Sequence, residues 1–217
     1  APWHYRNKME FSFLAGDDGT PVLGMHERGT WDKVFELTEC WITTPLVVEI
    51  VRLTQRFARE RRWKAYHPSR HDGVARFLTV RHLALTGECA VHLIAVSDHL
   101  EGLSEWAQAV AALSPEVKTV TLGLNGTRSS VAFMEEEHVL TGSGAIVERL
   151  LGLEYEVVGN AFLQTNSAQA ERLYQCALDT AQLTGDESVL DLYCGAGTMT
   201  LLFARHAKSA VGVESVA

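Results

Sequence analysis

Apolar and polar residues alternate with a period of two on both sides of Gly-Asp-Asp-Gly in "MEFSFLAGDDGTPVLGMHE", residues 9–27, which predicts an antiparallel hairpin. The period lengthens in "TPLVVEIVRLTQRFARERRW". Apolar residues there recur at helical spacing with few breakers, so a helix is expected over 45–63. "ARFLTVRHLALTGECAVHLIAV" returns to two β-rich runs around Thr86-Gly87-Glu88, a second hairpin. "LSEWAQAVAALS" reads as a helix with Ser104 as its N-cap. "VKTVTLGLN" reads as a strand closed by an Asn125-Gly126 turn, and "LEYEVVGNAFLQTN" as a strand running into a loop.

From Asn166 onward the pattern becomes β/α alternation. "SAQAERLYQCALDTAQLT" is helical, "SVLDLY" a strand, "TMTLLFARHA" helical and "SAVGVES" a strand. Strands separated by single helices imply a parallel sheet. The expected fold is therefore an α+β domain over 1–158, followed over 159–217 by the first part of a Rossmann-like α/β domain. Two strands are too few for a complete doubly wound sheet, so the chain is expected to be a fragment that stops in mid-domain.

Composition changes this picture little. The 217 residues carry ordinary apolar (47%) and charged (21%) fractions, enough for one large core or two modest ones. No apolar run is long enough to cross a bilayer, and the alanine start lacks an export-signal pattern. Cys40, Cys89, Cys176 and Cys194 are scattered without Cys-x-x-Cys pairing, which suits a reducing cytoplasm better than a disulfide framework. The net charge of −8 argues against a generic nucleic-acid coat but leaves room for a local basic face.

The chemistry concentrates in "VLDLYCGAGTMTLLFA", residues 189–204. A strand that ends in a glycine turn and opens a helix presents unpaired N–H groups to a polar ligand and lets the backbone approach it closely. Gly195, Gly197 and Thr198 form this turn. Glu214 follows Gly195 by nineteen residues, the offset at which an acid meets ribose hydroxyls in βαβ nucleoside sites. A dinucleotide fingerprint needs a third glycine where Thr200 stands, and it seldom has an acid such as Asp191 just before the loop. Asp191 and Glu214 instead favour a cationic nucleoside without phosphates, S-adenosylmethionine. The bland alternative is a tight strand–helix turn with a capping acid.

"FLQTNSAQAERLY", then "VLDLYCGAGTMTLLFA" and "VGVES", resembles the RNA uridine-5-methyltransferases, enzymes that methylate C5 of one uridine in tRNA or 23S rRNA. The N-terminal "PWHYRNKMEFSF" and "LGMHERGTWDKVFELTEC" are similar to the same family, while about 47–143 is only loosely patterned. The resemblance implies cofactor contacts at Gln164, Tyr193, Thr198 and Glu214, and a place for Phe162 near the cofactor or a flipped base. On its own, Phe162 reads as core. Asn166 reads equally as a ligand or as the N-cap of the next helix. The resemblance also implies a structured RNA partner and a covalent route: a cysteine thiolate adds to C6, and a base later removes the C5 proton. The family's nucleophilic cysteine and that base belong to later motifs absent from this sequence, so no catalytic residue is assigned and the chain alone is expected to be inactive.

Cys40, in "FELTEC", matches the last of four cysteines that hold a 4Fe–4S cluster in many members. The other three lie upstream in the family's pattern, where this chain has no residues. Cys40 thus reads equally as an orphan ligand or a structural thiol. Cys194 reads as a small packing residue under the loop, and Cys89 and Cys176 as core cysteines. Residues 51–70 carry Arg52, Arg56, Arg59, Arg61, Arg62, Lys64 and Arg70, with Trp63 and Tyr66 interleaved. Two readings stand: an RNA-facing surface, or a solvated helix face with its aromatics in the core. His67 and His71 read as surface residues rather than metal ligands. Two rivals remain for the whole: a methyltransferase for a non-RNA substrate, and a non-catalytic RNA-binding module with a degenerate cofactor loop.

Overall fold

A computed structural model describes residues 2–215. Strands β1 (Lys8–Ala15) and β2 (Pro21–His26) form the first hairpin, joined through Gly16 to Gly19, where Gly19 takes a left-handed φ of 79°. A short strand β3 (Val34–Glu36) extends it. Helix α1 (Pro45–Glu60) starts with proline in its first turn, where the missing N–H costs nothing. The helix stops three residues before Trp63, because Arg62 has φ 53° and turns the chain back. That turn drives Trp63 into the core, with only 3% of its surface exposed.

Strands β4 (Ala75–His82) and β5 (Cys89–Ala95) make the second hairpin. Helix α2 (Leu103–Ala111) crosses over to β6 (Val117–Leu124), which lies parallel to β5. Gly102, with φ 72°, occupies the N-cap of α2 and displaces the expected Ser104 into the first turn. No tight Asn125-Gly126 turn closes β6. An eleven-residue loop, 125–135, leads to β7 (Glu136–Gly142), and the Asn125 side chain is buried as an organiser of that loop. The sheet runs β3-β2-β1-β4-β5-β6-β7.

The two faces of this sheet differ. Phe11, Phe13, Leu78, Val80, Val91, Leu93, Val120 and Leu122 pack against α1, α2 and the edge-on pair Trp63–Trp106. The Trp106 ring N–H donates to the Thr54 hydroxyl, so the largest buried side chain is also polar-satisfied. The opposite face carries Lys8 against Arg81, Glu10 against Thr79 and Ser12 against Phe77.

A separate hairpin of β8 (Ala145–Leu150) and β9 (Leu153–Val158) precedes α3 (Ser167–Ala181), β10 (Ser188–Leu192), α4 (Thr198–Ala204) and β11 (Ser209–Val213). β10 and β11 pair in parallel, as the β/α alternation predicts. The Asn166 side chain accepts from the Gln169 N–H, so Asn166 is the N-cap of α3. A second apolar cluster joins Ile146, Leu150, Tyr155, Val157, Tyr174 and Leu202 to Ala90 of β5 and Leu83 just after β4. Cys89 is buried, as expected of a core cysteine, but Cys176 is exposed on α3 because its position falls on the helix's outer stripe. No helix among the described residues is long and apolar enough to cross a membrane.

Candidate active site

The glycine turn is built from left-handed backbone. Tyr193 (φ 64°), Gly195 (φ 54°) and Gly197 (φ 76°) swing the chain from β10 into α4. A positive φ is costly for an aromatic residue, and two hydrogen bonds hold the bend in place: the N–H groups of Tyr193 and Cys194 both donate to the Val213 carbonyl. Tyr193 projects outward with 83% of its surface exposed. A Cβ at Gly195 or Gly197 would meet nothing within 4 Å, so open space lies over the turn.

Two carboxylates bracket it. Glu214 accepts from the Gly195 N–H at 2.9 Å with one oxygen and from the Ser215 N–H at 2.7 Å with the other. Asp191 accepts from the Thr200 hydroxyl at 2.6 Å. The residue that breaks the dinucleotide fingerprint therefore orients the acid that precedes the loop. Cys194 lies beneath the turn: a Cβ on Gly212 would come within 2.8 Å of its Sγ, so β11 needs glycine there for the loop to seat. Thr198 is buried, and its carbonyl accepts from the Tyr155 hydroxyl, which ties α4 to β9.

The "FLQTN" segment is stitched to the N-terminal strand. The Asn7 N–H donates to the Thr165 carbonyl and its side-chain amide to the Gln164 carbonyl and the Ser167 hydroxyl. Arg81 donates to the Ala161 carbonyl at 2.7 Å. These bonds fix the backbone on both sides of Phe162 and leave its ring free. Phe162 is 69% exposed, which rules out core packing. It stands between two cavities. One, of about 170 Å³, reaches Ala196 and Thr198 of the glycine turn. The other, of about 420 Å³, is bordered by Arg6, Lys8, Arg81 and, as the one acid among the described residues there, Glu10. Gln164, half-buried, lies on the same segment. Burial pushes the Arg81 guanidinium down to about 10, still charged at neutral pH.

Part of the basic run at 51–70 is tied up locally. Arg59 pairs with Glu36, Arg61 with Glu101 and Arg70 with Asp72. Arg52 donates to the Thr38 carbonyl. Trp63 and Tyr66 are buried, so the interleaved aromatics are core, while Arg56, Arg62 and Lys64 stay exposed. His67 and His71 organise a turn: the first accepts from the Ser69 and Arg70 N–H groups, and the second meets the Tyr66 hydroxyl. Cys40 is half-buried beside His4 and Trp41. Among the described residues no group of three or more His, Cys, Asp or Glu side chains is placed to hold a metal ion, and one thiolate does not fit a 4Fe–4S cluster.

A family model described as tRNA (uracil-5-)-methyltransferase matches residues 1–215. The chain belongs to that family. It is similar to an "uncharacterized RNA methyltransferase" of Chlorobaculum tepidum, 33% identical over 98% of this chain and 47% of that protein. A second such protein, from Halalkalibacterium halodurans, is 31% identical over 99% of this chain and 46% of its own length. The chain thus spans about half the length of these relatives. In fold it is similar to the Pyrococcus abyssi tRNA (uracil-54, C5)-methyltransferase solved with S-adenosyl-L-homocysteine. That match has a TM-score of 0.77 and 22% identity, and covers 99% of this chain and 49% of that one.

Within this member of the family, sequence reasoning missed Arg81, Arg76 and Asn7. All three are buried polar residues on or beside β1 and β4. The available signal was a charge at each end of "ARFLTVR", a strand otherwise apolar enough to be central.

Proposed function

We propose that this chain is the cofactor-holding part of an enzyme that uses S-adenosylmethionine to methylate C5 of a uridine in tRNA or 23S rRNA. The observation that carries the reading is the glycine turn with Glu214 locked onto the Gly195 N–H and Asp191 held by Thr200. When bound, S-adenosylmethionine supplies an electrophilic methyl group on a sulfonium centre. Glu214, its carboxylate already oriented by two backbone N–H groups, is suited to accept from ribose hydroxyls. Asp191 tolerates the ligand's positive charge. Tyr193 offers an exposed aromatic face, Gln164 a donor and an acceptor, and Gly195, Gly197 and Thr198 the backbone opening itself.

The RNA would approach from the other side of Phe162. Arg6, Lys8 and Arg81 against Glu10 leave a local positive balance in a chain of net charge −8, which suits a phosphate-bearing substrate. A target base must leave its stack to reach such a site, and the free ring of Phe162 stands at the passage between the two cavities. The thiolate for C6 and the base for the C5 proton are not assigned to residues of this chain.

Calorimetric titration with S-adenosylmethionine, paired with nucleoside mass spectrometry of tRNA and rRNA treated with the full-length enzyme, tests the reading. Binding here and 5-methyluridine there support it. Binding without 5-methyluridine moves the substrate outside uridine C5. Failure of cofactor binding in the full-length enzyme returns the chain to the binding-module class.

A further inference from the structure

A second cavity on the polar face of the large sheet has no part in the cofactor site. It measures about 340 Å³, within the range of small-molecule pockets. Its aromatic walls are Trp31, Tyr66 and Phe77. Trp31 lies at the lip with 61% of its surface exposed, whereas Tyr66 is buried.

Arg76 forms part of the wall, its positive charge held by neutral acceptors rather than by a carboxylate. Its Nη1 donates to the Asn125 carbonyl, the Asn125 side-chain oxygen and the Thr127 carbonyl at 2.7–2.8 Å, and its Nη2 to the Ser129 carbonyl. The guanidinium carbon sits 4.5 Å from the Tyr66 ring centroid, in cation–π contact. Among the described residues no carboxylate lines the cavity. Hydroxyls of Thr30, Ser129 and Ser130 stand around it, with the Ser12–His26 hydrogen bond on one side. Stacking walls with a neutral hydrogen-bonding rim suit a flat, uncharged group that carries donors and acceptors on its edge.

Position along the sheet says where that group comes from. Lys8 and Glu10 border the cationic cavity beside Phe162, and Ser12 and Leu14 border this one. All four alternate on the face of β1 turned away from the helices. The two cavities are therefore about 13 Å apart along one strand, within reach of a few nucleotides of a single RNA strand. We propose that the Trp31–Tyr66–Phe77 cavity receives a second unstacked nucleobase of the RNA strand whose phosphates lie in the Arg6–Lys8–Arg81 cavity. This rests on the RNA reading above and adds a base-holding subsite away from the reacting uridine.

The test measures fluorescence anisotropy of two labelled probes on this chain: octauridylate, and an octamer with the same phosphates but no bases. The unaltered chain is expected to prefer octauridylate. Trp31→Ala should reduce that preference roughly ten-fold while leaving the slope of log affinity against log salt unchanged, because phosphate contacts persist. Ser130→Phe, an exposed position at the mouth, should block the cavity and reproduce the loss. Equal affinity of Trp31→Ala and unaltered chain for octauridylate overturns the subsite and leaves the RNA reading standing. An equal loss with the base-free octamer also overturns it, since Trp31 would then act on the backbone. No binding of either probe by the unaltered chain overturns both the subsite and the RNA reading.

Discussion

The seven-stranded sheet and the β10–β11 pair treat apolar strand residues in opposite ways. In the seven-stranded sheet β5 is buried along its whole length, and Leu93 has no exposed surface. In the two-stranded sheet Leu190 and Leu192 of β10 are 61% and 59% exposed, and Val211 of β11 is 57% exposed. Both sheets are well hydrogen-bonded. The difference lies in what packs on them: two helices and a tryptophan pair on one, a single short helix on the other. Stability and chemistry are thus separated. The large sheet supplies the apolar burial that holds the fold, and the small one holds an open backbone turn whose geometry depends on hydrogen bonds to Glu214 and Val213.

The sharpest way to break this comparison is truncation in the large core. Trp106→Ala should destabilise the chain by about 3–5 kcal/mol, from lost burial and the lost hydrogen bond to Thr54, as a shifted midpoint in urea would record. Leu93→Ala should cost about 2–5 kcal/mol, whereas Leu192→Ala should change stability by no more than about 0.5 kcal/mol. Similar losses for the two leucines would mean that β10 is covered in solution.

Glu214→Gln addresses the other half. It should weaken S-adenosylmethionine binding roughly ten-fold or more with little change in unfolding midpoint, by removing a charged acceptor from the turn. A fall in stability matching the loss of affinity would make Glu214 a structural latch instead.

A smaller, pH-dependent effect belongs to His82, which joins the large sheet to α1. Its Nδ1 lies 2.6 Å from the Thr44 hydroxyl and its Nε2 3.3 Å from Glu116. Burial holds its pKa below the ordinary 6.5, partly opposed by the Glu116 carboxylate. The unfolded chain therefore takes up the proton first. The contribution is complete above 6.5 and is lost as pH falls from there through the depressed folded value. Urea midpoints should decline on acidification below about 6.5, and His82→Gln should flatten that part of the profile. Smallest of all, Cys194→Ala should leave cofactor affinity within about three-fold in the same titration, because its thiol packs against Gly212 rather than facing the opening.

Local patterns carried much of this outcome. Alternation around Gly16–Gly19 determined the first hairpin, because one buried face enforces a period of two, and two β-rich runs around Thr86–Glu88 marked the second. The β/α alternation after Asn166 determined the parallel pair and the glycine turn, and of the two readings open for Asn166 the structure shows the cap, its side-chain oxygen accepting from the Gln169 N–H. Where two local signals competed, tertiary context chose. Gly102 took the cap position from Ser104, and Arg62 ended α1 early so that Trp63 could enter the core.

The rest was decided only in three dimensions. Asn7 bonds to a segment more than 150 residues away, and Arg81 to Ala161, so the setting of Phe162 is written in no single stretch of sequence. The basic run at 51–70 looked continuous along the chain, yet Arg59 and Arg61 meet acids from β3 and the loop before α2. Periodicity records which side of an element is apolar. It does not record which distant polar group will satisfy a buried donor, and that pairing places the cavities on either side of Phe162.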